Sequence, residues 1–179
     1  MESLARLQVG FFRKCYTFPI RDGNNSFVGI RMRPKRGKKF SITGTKNALY
    51  WPLGVFAESN NILFLPEGAT DTAAMLDLGF DAIGRPNNRA GSQYVKDIIK
   101  GYDRAVVIVS DKDEAKFKPD GTAYYPGQDG AVAFAQDIKE DARHVRVIKP
   151  PQAKDMRKWL QAGATAAMVM TLVDNARFI

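Results

Sequence analysis

The run Ala105-Val106-Val107-Ile108-Val109 constrains the fold more than any other stretch of the chain. Four of its five residues are β-branched, and no polar position interrupts them before Ser110 and Asp111. A run of that kind reads as a strand buried on both faces, and such strands belong to parallel sheets covered by helices. The neighbouring texture agrees. Residues 62–68, 80–86, 104–111 and 144–150 read as strands. Residues 70–79, 92–102 and 127–141 read as helices between them, with Ala73, Ala74 and Leu76 facing inward and Gly79 as a stop. Residues 153–163 and 165–178 read as closing helices. Strands alternating with helices predict an α/β fold with a mainly parallel sheet.

The first fifty residues differ. They hold 11 Lys/Arg against 2 Asp/Glu, whereas residues 51–179 hold 16 against 17. The net charge of +8 therefore sits almost wholly at one end, which points to a polyanion as partner. Residues 16–22 and 26–33 read as strands joined by the turn Gly23-Asn24-Asn25, and 38–43 as a third strand after a basic turn. The expected division is a basic, β-rich antiparallel subdomain over 1–55 and an α/β domain over 56–179.

Composition removes several function classes. The single cysteine, Cys15, excludes a disulfide framework and a cysteine-based zinc cluster. The single histidine, His144, leaves no two-histidine metal site. Both read as ordinary packing or surface residues, and Trp51 and Trp159 as core anchors. No apolar run of about 18 residues occurs, so no membrane helix is expected, and the first ten residues carry no apolar signal core.

Carboxylates fall where parallel sheets place their sites, beyond the carboxyl ends of strands. Glu67 ends the strand at 62–68. Asp111 and Asp113 follow the apolar run, and Asp155 follows the strand at 144–150. In a D-x-D pair alternate residues can point to one side, so both carboxylates can reach one cation. Oxygen-only ligands suit magnesium or manganese, and a divalent ion relieves their mutual repulsion. Each acid alone also reads as a helix cap or turn former. Asp71 reads as a helix cap or as support for the metal site from behind. Arg85 and Asn87 follow a strand end and are candidates to face the site.

The ordered set of motifs resembles the TOPRIM domain, and most closely that of bacterial and phage-type primases. Residues 65–87, LPEGATDTAAMLDLGFDAIGRPN, are similar to the primase E-G-x-x-D helix and the strand after it. VVIVSDKDEA at 106–115 resembles the metal-binding strand, PGQDGAVAFA at 126–135 the start of the next helix, and VRVIKPPQAKDMRKWL at 145–160 the final strand with its Lys-Asp motif. Residues 18–52 resemble the basic subdomain that precedes TOPRIM in primases. The chain departs from the pattern in two places. Residues 116–125 look like an insertion, and Arg157 stands where a further acid is usual. Neither a zinc-binding template module nor a G-x-x-x-x-G-K-[ST] loop is present.

The resemblance implies a nucleotidyltransferase, a DNA-directed RNA polymerase that makes RNA primers on single-stranded DNA in a bacterial or phage-infected cytoplasm. It implies Mg²⁺ or Mn²⁺ on Glu67, Asp111 and Asp113, with Asp155 as a further ligand. Lys46, Lys154 and Arg85 would contact the nucleotide, and Arg31, Arg33, Lys38 and Lys39 the nucleic acid. The partners implied are single-stranded template, NTPs and a replicative helicase, in trans or in a longer parent chain. A metal-dependent nuclease of the TOPRIM type and a non-catalytic single-strand-binding module are the competing readings.

Overall fold

The structure is a computed structural model that describes residues 2–55, 61–100 and 103–179. Its first part runs α1 (Glu2–Arg6), β1 (Gly10–Phe12), β2 (Cys15–Arg21), β3 (Phe27–Pro34) and β4 (Phe40–Ser41). The second runs β5 (Leu63–Leu65), α2 (Gly68–Asp77), β6 (Asp81–Ala82), α3 (Ser92–Ile99) and β7 (Ala105–Val109). It continues through β8 (Lys116–Phe117), β9 (Ala123–Tyr124), α4 (Pro126–Ile138), β10 (His144–Ile148), α5 (Met156–Gln161) and α6 (Ala166–Asn175).

The apolar run is β7, a central strand. The sheet order is β10-β7-β5-β6, and every pairing in it is parallel. Alternate residues of β7 enter different cores. Val106 and Ile108 join one with Val95 and Ile98 of α3 and Phe134 and Ile138 of α4. Val107 and Val109 join the other with Met75 of α2, Trp159 of α5 and Val169 of α6. Helices thus cover both faces, as the expected α/β class requires.

From β5 the chain steps outward to β6, then crosses back past β5 to β7 and on to β10. The direction of winding reverses between β5 and β7. In open parallel sheets a crevice opens at that reversal, beyond the carboxyl ends of the strands.

The basic part forms a second sheet, antiparallel, in the order β1-β2-β3-β4. It has four strands where the sequence suggested three, the additional one being the short β1 that pairs with the start of β2. The expected third strand, 38–43, narrows to Phe40–Ser41. Residues 49 and 50 fasten the sheets together. Leu49 exchanges main-chain hydrogen bonds with Arg21 at the end of β2 (2.8 and 2.9 Å), and Tyr50 with Gly84 beyond β6 (2.8 and 2.9 Å). Leu7, Phe18, Ile20 and Leu49 share one core with Leu63, Ile83 and Val106. The basic sheet is therefore fixed over one end of the parallel sheet.

Several helices are shorter than expected. α5 starts at Met156 because Asp155 caps it, its carboxylate accepting the Lys158 N–H at 2.8 Å. α6 stops at Asn175, and Phe178 then bridges to Arg146 on the edge of β10. Residues 101–102 of the expected helix at 92–102 lie outside the described residues. Trp51 and Trp159 are core residues and Cys15 is buried, whereas His144 is exposed.

Candidate active site

The reversal point of the sheet is where the acids gather. β5 ends at Leu65, and a parallel bridge from Glu67 to Arg85 prolongs its pairing with the chain beyond β6. Gly68 then turns the chain into α2 at φ 79°, a conformation in which a Cβ would be strained. Glu67 stands at the N-cap of α2 but makes no capping hydrogen bond with its side chain. Its carboxylate lines a cleft with Asp111, which follows the neighbouring strand β7, and with Asp71 from the first turn of α2.

The rest of that cleft's lining comes from the basic part, Phe18, Arg31 and Arg33 from its sheet and Lys39 from the connection before β4, and from Tyr50 at the join of the two sheets. Burial keeps the Tyr50 hydroxyl protonated to higher pH, against the pull of Arg31, which hydrogen-bonds it, and of Arg33. A half-buried acidic floor thus faces cationic side chains across one opening.

Crowding marks the acids. Burial pushes Asp111 up to about 7, and the carboxylates of Glu67, Asp71, Asp113 and Asp155 push it the same way. Glu67 is raised too, chiefly by burial, with Arg85 and Lys39 opposing. Asp71 is raised to about 6 by burial, although the Arg157 N–H donates to it at 2.8 Å. Asp71 therefore does not cap its own helix. It ties α2 to the first turn of α5.

Asp113 takes a different position from its D-x-D partner. β7 ends at Val109 and residues 110–115 are irregular, so the strand alternation no longer applies. The Asp113 carboxylate accepts the Gly127 N–H of α4 at 2.9 Å and lines an adjoining groove with Glu114, Lys112, Lys116 and Lys154. A Cβ at Gly127 would stand 2.9 Å from that carboxylate and 3.0 Å from the Asp111 carbonyl. Only glycine lets α4 approach the acidic loop so closely. Asp155 caps α5 through one oxygen and holds Arg157 Nη2 at 3.7 Å through the other, so both oxygens are engaged.

Among the described residues no three His, Cys, Asp or Glu side chains are drawn together tightly enough to form a closed metal cage. Magnesium does not need one. It commonly keeps its waters and binds one or two carboxylates together with substrate phosphates. Glu67 and Asp111 fit that role. They are oxygen donors on adjacent strand ends, and the burial that raises the proton affinity of both, joined at Asp111 by repulsion from neighbouring carboxylates, is what a divalent cation would offset.

Arg85 corrects an expectation. It is 0% exposed, and its guanidinium donates to the carbonyls of Leu65 (3.0 Å), Asn88 (3.1 Å) and Val109 (3.0 Å). Its face lies over the Phe134 ring at 5.0 Å. Burial lowers its proton affinity to about 10, with Glu67 and Asp111 opposing, so it stays charged at neutral pH. Arg85 joins the ends of β5 and β7 beneath the acids and is closed off from a nucleotide. Asn87 folds its side chain back onto the N–H groups of Arg89 and Ala90. Lys46 and Lys38 are exposed on the basic sheet's side of the molecule, outside the residues lining the cleft, and Lys154 is exposed beside Asp113.

Solved structures match the fold of nearly the whole chain. A DnaG primase catalytic domain bound to single-stranded DNA matches at TM-score 0.73 and 16% identity, over 99% of this chain and 68% of that one. The chain has the fold of a primase catalytic core. The E. coli primase catalytic core matches at TM-score 0.67 and 17% identity, over 99% of this chain and 60% of that one. The primase fragment of the bacteriophage T7 primase-helicase matches at 0.65 and 17%, over 96% and 70%. No protein-family model matches the sequence, and no curated protein matches it significantly. The expected fold, a TOPRIM-type α/β domain behind a basic antiparallel sheet, is the one found. The primase-core fold places β5, β7 and the basic sheet around the acidic cleft. No helix among the described residues is long and apolar enough to cross a membrane.

Proposed function

We propose that the chain is a primase-type catalytic core that joins ribonucleotides on a single-stranded DNA template. One observation carries the reading. The acidic strand ends, Glu67 and Asp111, face Arg31, Arg33 and Lys39 across a single cleft, in a primase-core fold. Phosphoryl transfer needs the triphosphate charge neutralised and the attacking 3′-hydroxyl held in line. Mg²⁺ or Mn²⁺ on Glu67 and Asp111, with Asp113 close by, would supply the neutralisation. Arg31, Arg33 and Lys39 would hold template phosphates, with Lys38 at the rim. Lys154, and Lys46 from the basic sheet, are the nucleotide contacts in this reading. Asp155 would be a further ligand through its second oxygen while the first caps α5.

NTPs and single-stranded DNA are the proposed substrates. A replicative helicase, in trans or in a longer parent chain, is the proposed partner, and a bacterial or phage-infected cytoplasm the setting. The test is ribonucleotide incorporation on varied single-stranded templates with Mg²⁺ or Mn²⁺, beside Asp111→Ala. Oligoribonucleotides from the wild-type chain and none from the variant are expected. Metal-dependent nicking without synthesis, lost in the same variant, would favour the nuclease reading. Strand binding that survives Glu67→Ala and Asp111→Ala, with neither chemistry, would favour a binding module.

A further inference from the structure

One face of β2 passes from core to solvent in three steps. Ile20 is 1% exposed, Phe18 7% and Tyr16 43%. Phe18 lies against Tyr50 at the rim of the acidic cleft, with ring centroids 6.3 Å apart. Tyr16, two residues further out on the same face, has no such cover. Its cross-strand neighbours are Phe11 on one side and Arg33 on the other. Phe11 is 59% exposed and meets Tyr16 edge to face at 5.4 Å. The cleft wall and this aromatic pair are therefore one continuous surface. Arg31 and Phe18 occupy one cross-strand row, and Arg33, Tyr16 and Phe11 the next.

The hairpin tip beyond them is strained. β1 and β2 are joined by Arg13 and Lys14, at φ 47° and 63°. A two-residue turn with both residues left-handed normally takes Asn-Gly. Lys14 there brings charge to the end of the aromatic edge, while Arg13 lies over the Phe12 ring at 5.2 Å, on the other face of the hairpin. Lys14 lines a hollow with Phe11, Pro34, Lys35 and Arg36, and the only acid between residues 3 and 57 is Asp22.

We propose that Phe11 and Tyr16 form a base-stacking platform for single-stranded nucleic acid, with Arg33 and Lys14 holding its phosphates. This rests on the reading of the cleft as a strand track and extends the track outward. Every base offers a π-face, so the platform accepts a strand of any sequence. The cationic surroundings select a polyanion over an apolar protein surface.

The test compares a labelled oligothymidylate with an abasic oligomer of equal length, which keeps the phosphates and lacks the bases. The wild-type chain is expected to bind oligothymidylate more tightly than the abasic strand. The double variant Phe11→Ala/Tyr16→Ala should weaken oligothymidylate binding about tenfold, leave the abasic affinity and the salt dependence unchanged, and bring the two strands level. Tyr16→Trp should restore the preference. Replacing the turn by Arg13→Asn/Lys14→Gly should raise Tm yet weaken both strands and flatten the salt dependence, because it relieves strain and removes charge. Equal wild-type affinity for the two strands, or equal loss on both in the aromatic variant, overturns the stacking platform and leaves the cleft reading standing. Failure of both strands to bind at low salt overturns both readings. A dimer in sedimentation that Phe11→Ala dissolves would make the patch an interface between copies and overturn the proposal.

Discussion

The two sheets handle charge in opposite ways. The antiparallel sheet carries its like charges on an exposed surface, Arg33 on β3 and Lys35, Lys38 and Lys39 on the connection to β4, where solvent surrounds each. The parallel sheet crowds like charges at strand ends that are half buried, and Asp111 takes up a proton at about 7 as a result. The exposed cations cost the fold little, because water screens them. The crowded acids cost it stability, and stability yielded at a site is the usual mark of chemistry there. The first region can hold a polyanion. The second can hold a cation. The primase-core fold brings the two into one cleft.

The sharpest break of this contrast is at the acids. Asp111→Ala and Glu67→Gln should each lower nucleotide incorporation on the order of 10³-fold or more. Each should also raise the metal-free Tm, because a carboxylate repelled by its neighbours is gone. Loss of activity together with a lower Tm would mean that these acids act as structural ties. Second in size is Arg85, the buried charge that joins β5 and β7 beneath the acids. Arg85→Ala leaves the carbonyls of Leu65 and Val109 without a partner and opens a cavity against Phe134. The expected cost is about 3–5 kcal/mol in urea unfolding. Arg85→Lys should recover little, since one ammonium cannot span carbonyls on two strands.

Arg85 also shows where sequence reading stops. The parallel α/β class, the burial of Ala105–Val109 on both faces and the basic antiparallel sheet were legible because burial leaves its pattern in the residues, whereas the order of the strands was not. The acids of the cleft were legible because they end those strands. The direction of a long side chain after a strand end has no such period, and Arg85 turned inward between β5 and β7. Asp113 parted from Asp111 because the chain leaves the strand at Val109, and the alternation that would pair them ends there. Asp155 read both as a helix cap and as a further ligand, and it forms the cap, its position three residues before Lys158 placing its carboxylate on that N–H. Phe11 and Tyr16 had a signal that went unread: aromatic and basic residues interleave through FFRKCYTF.

A milder probe acts on the exposed side. Arg33→Ala and Lys39→Ala should each weaken single-strand binding several-fold and lower the slope of log affinity against log salt by about 0.7, the single-strand value per phosphate contact. Tm should barely move, because neither side chain is buried. A variant that loses affinity with its salt slope intact would place that residue on bases rather than phosphates.

The smallest effect is the most diagnostic of the crowded acids. An unfolded aspartate titrates near about 3.9, while Asp111 in the folded, metal-free chain titrates at about 7 and Asp71 at about 6. The folded state therefore binds these protons more tightly than the unfolded state does. Linkage then makes stability fall as pH rises from about 4 to about 7, and the loss is complete above that. Asp111→Asn removes the repelled charge, so its Tm should exceed that of the wild-type chain by about a few degrees at pH 8 and converge with it towards pH 5. Adding Mn²⁺ at pH 8 should raise the wild-type Tm and leave Asp111→Asn nearly unchanged, because the cation replaces the proton on the same oxygens. If the two curves run parallel across the pH range, the cluster is not crowded in solution. If they converge but Mn²⁺ lifts neither, the acids are crowded without being a metal site, and the contrast between the sheets is then one of charge alone.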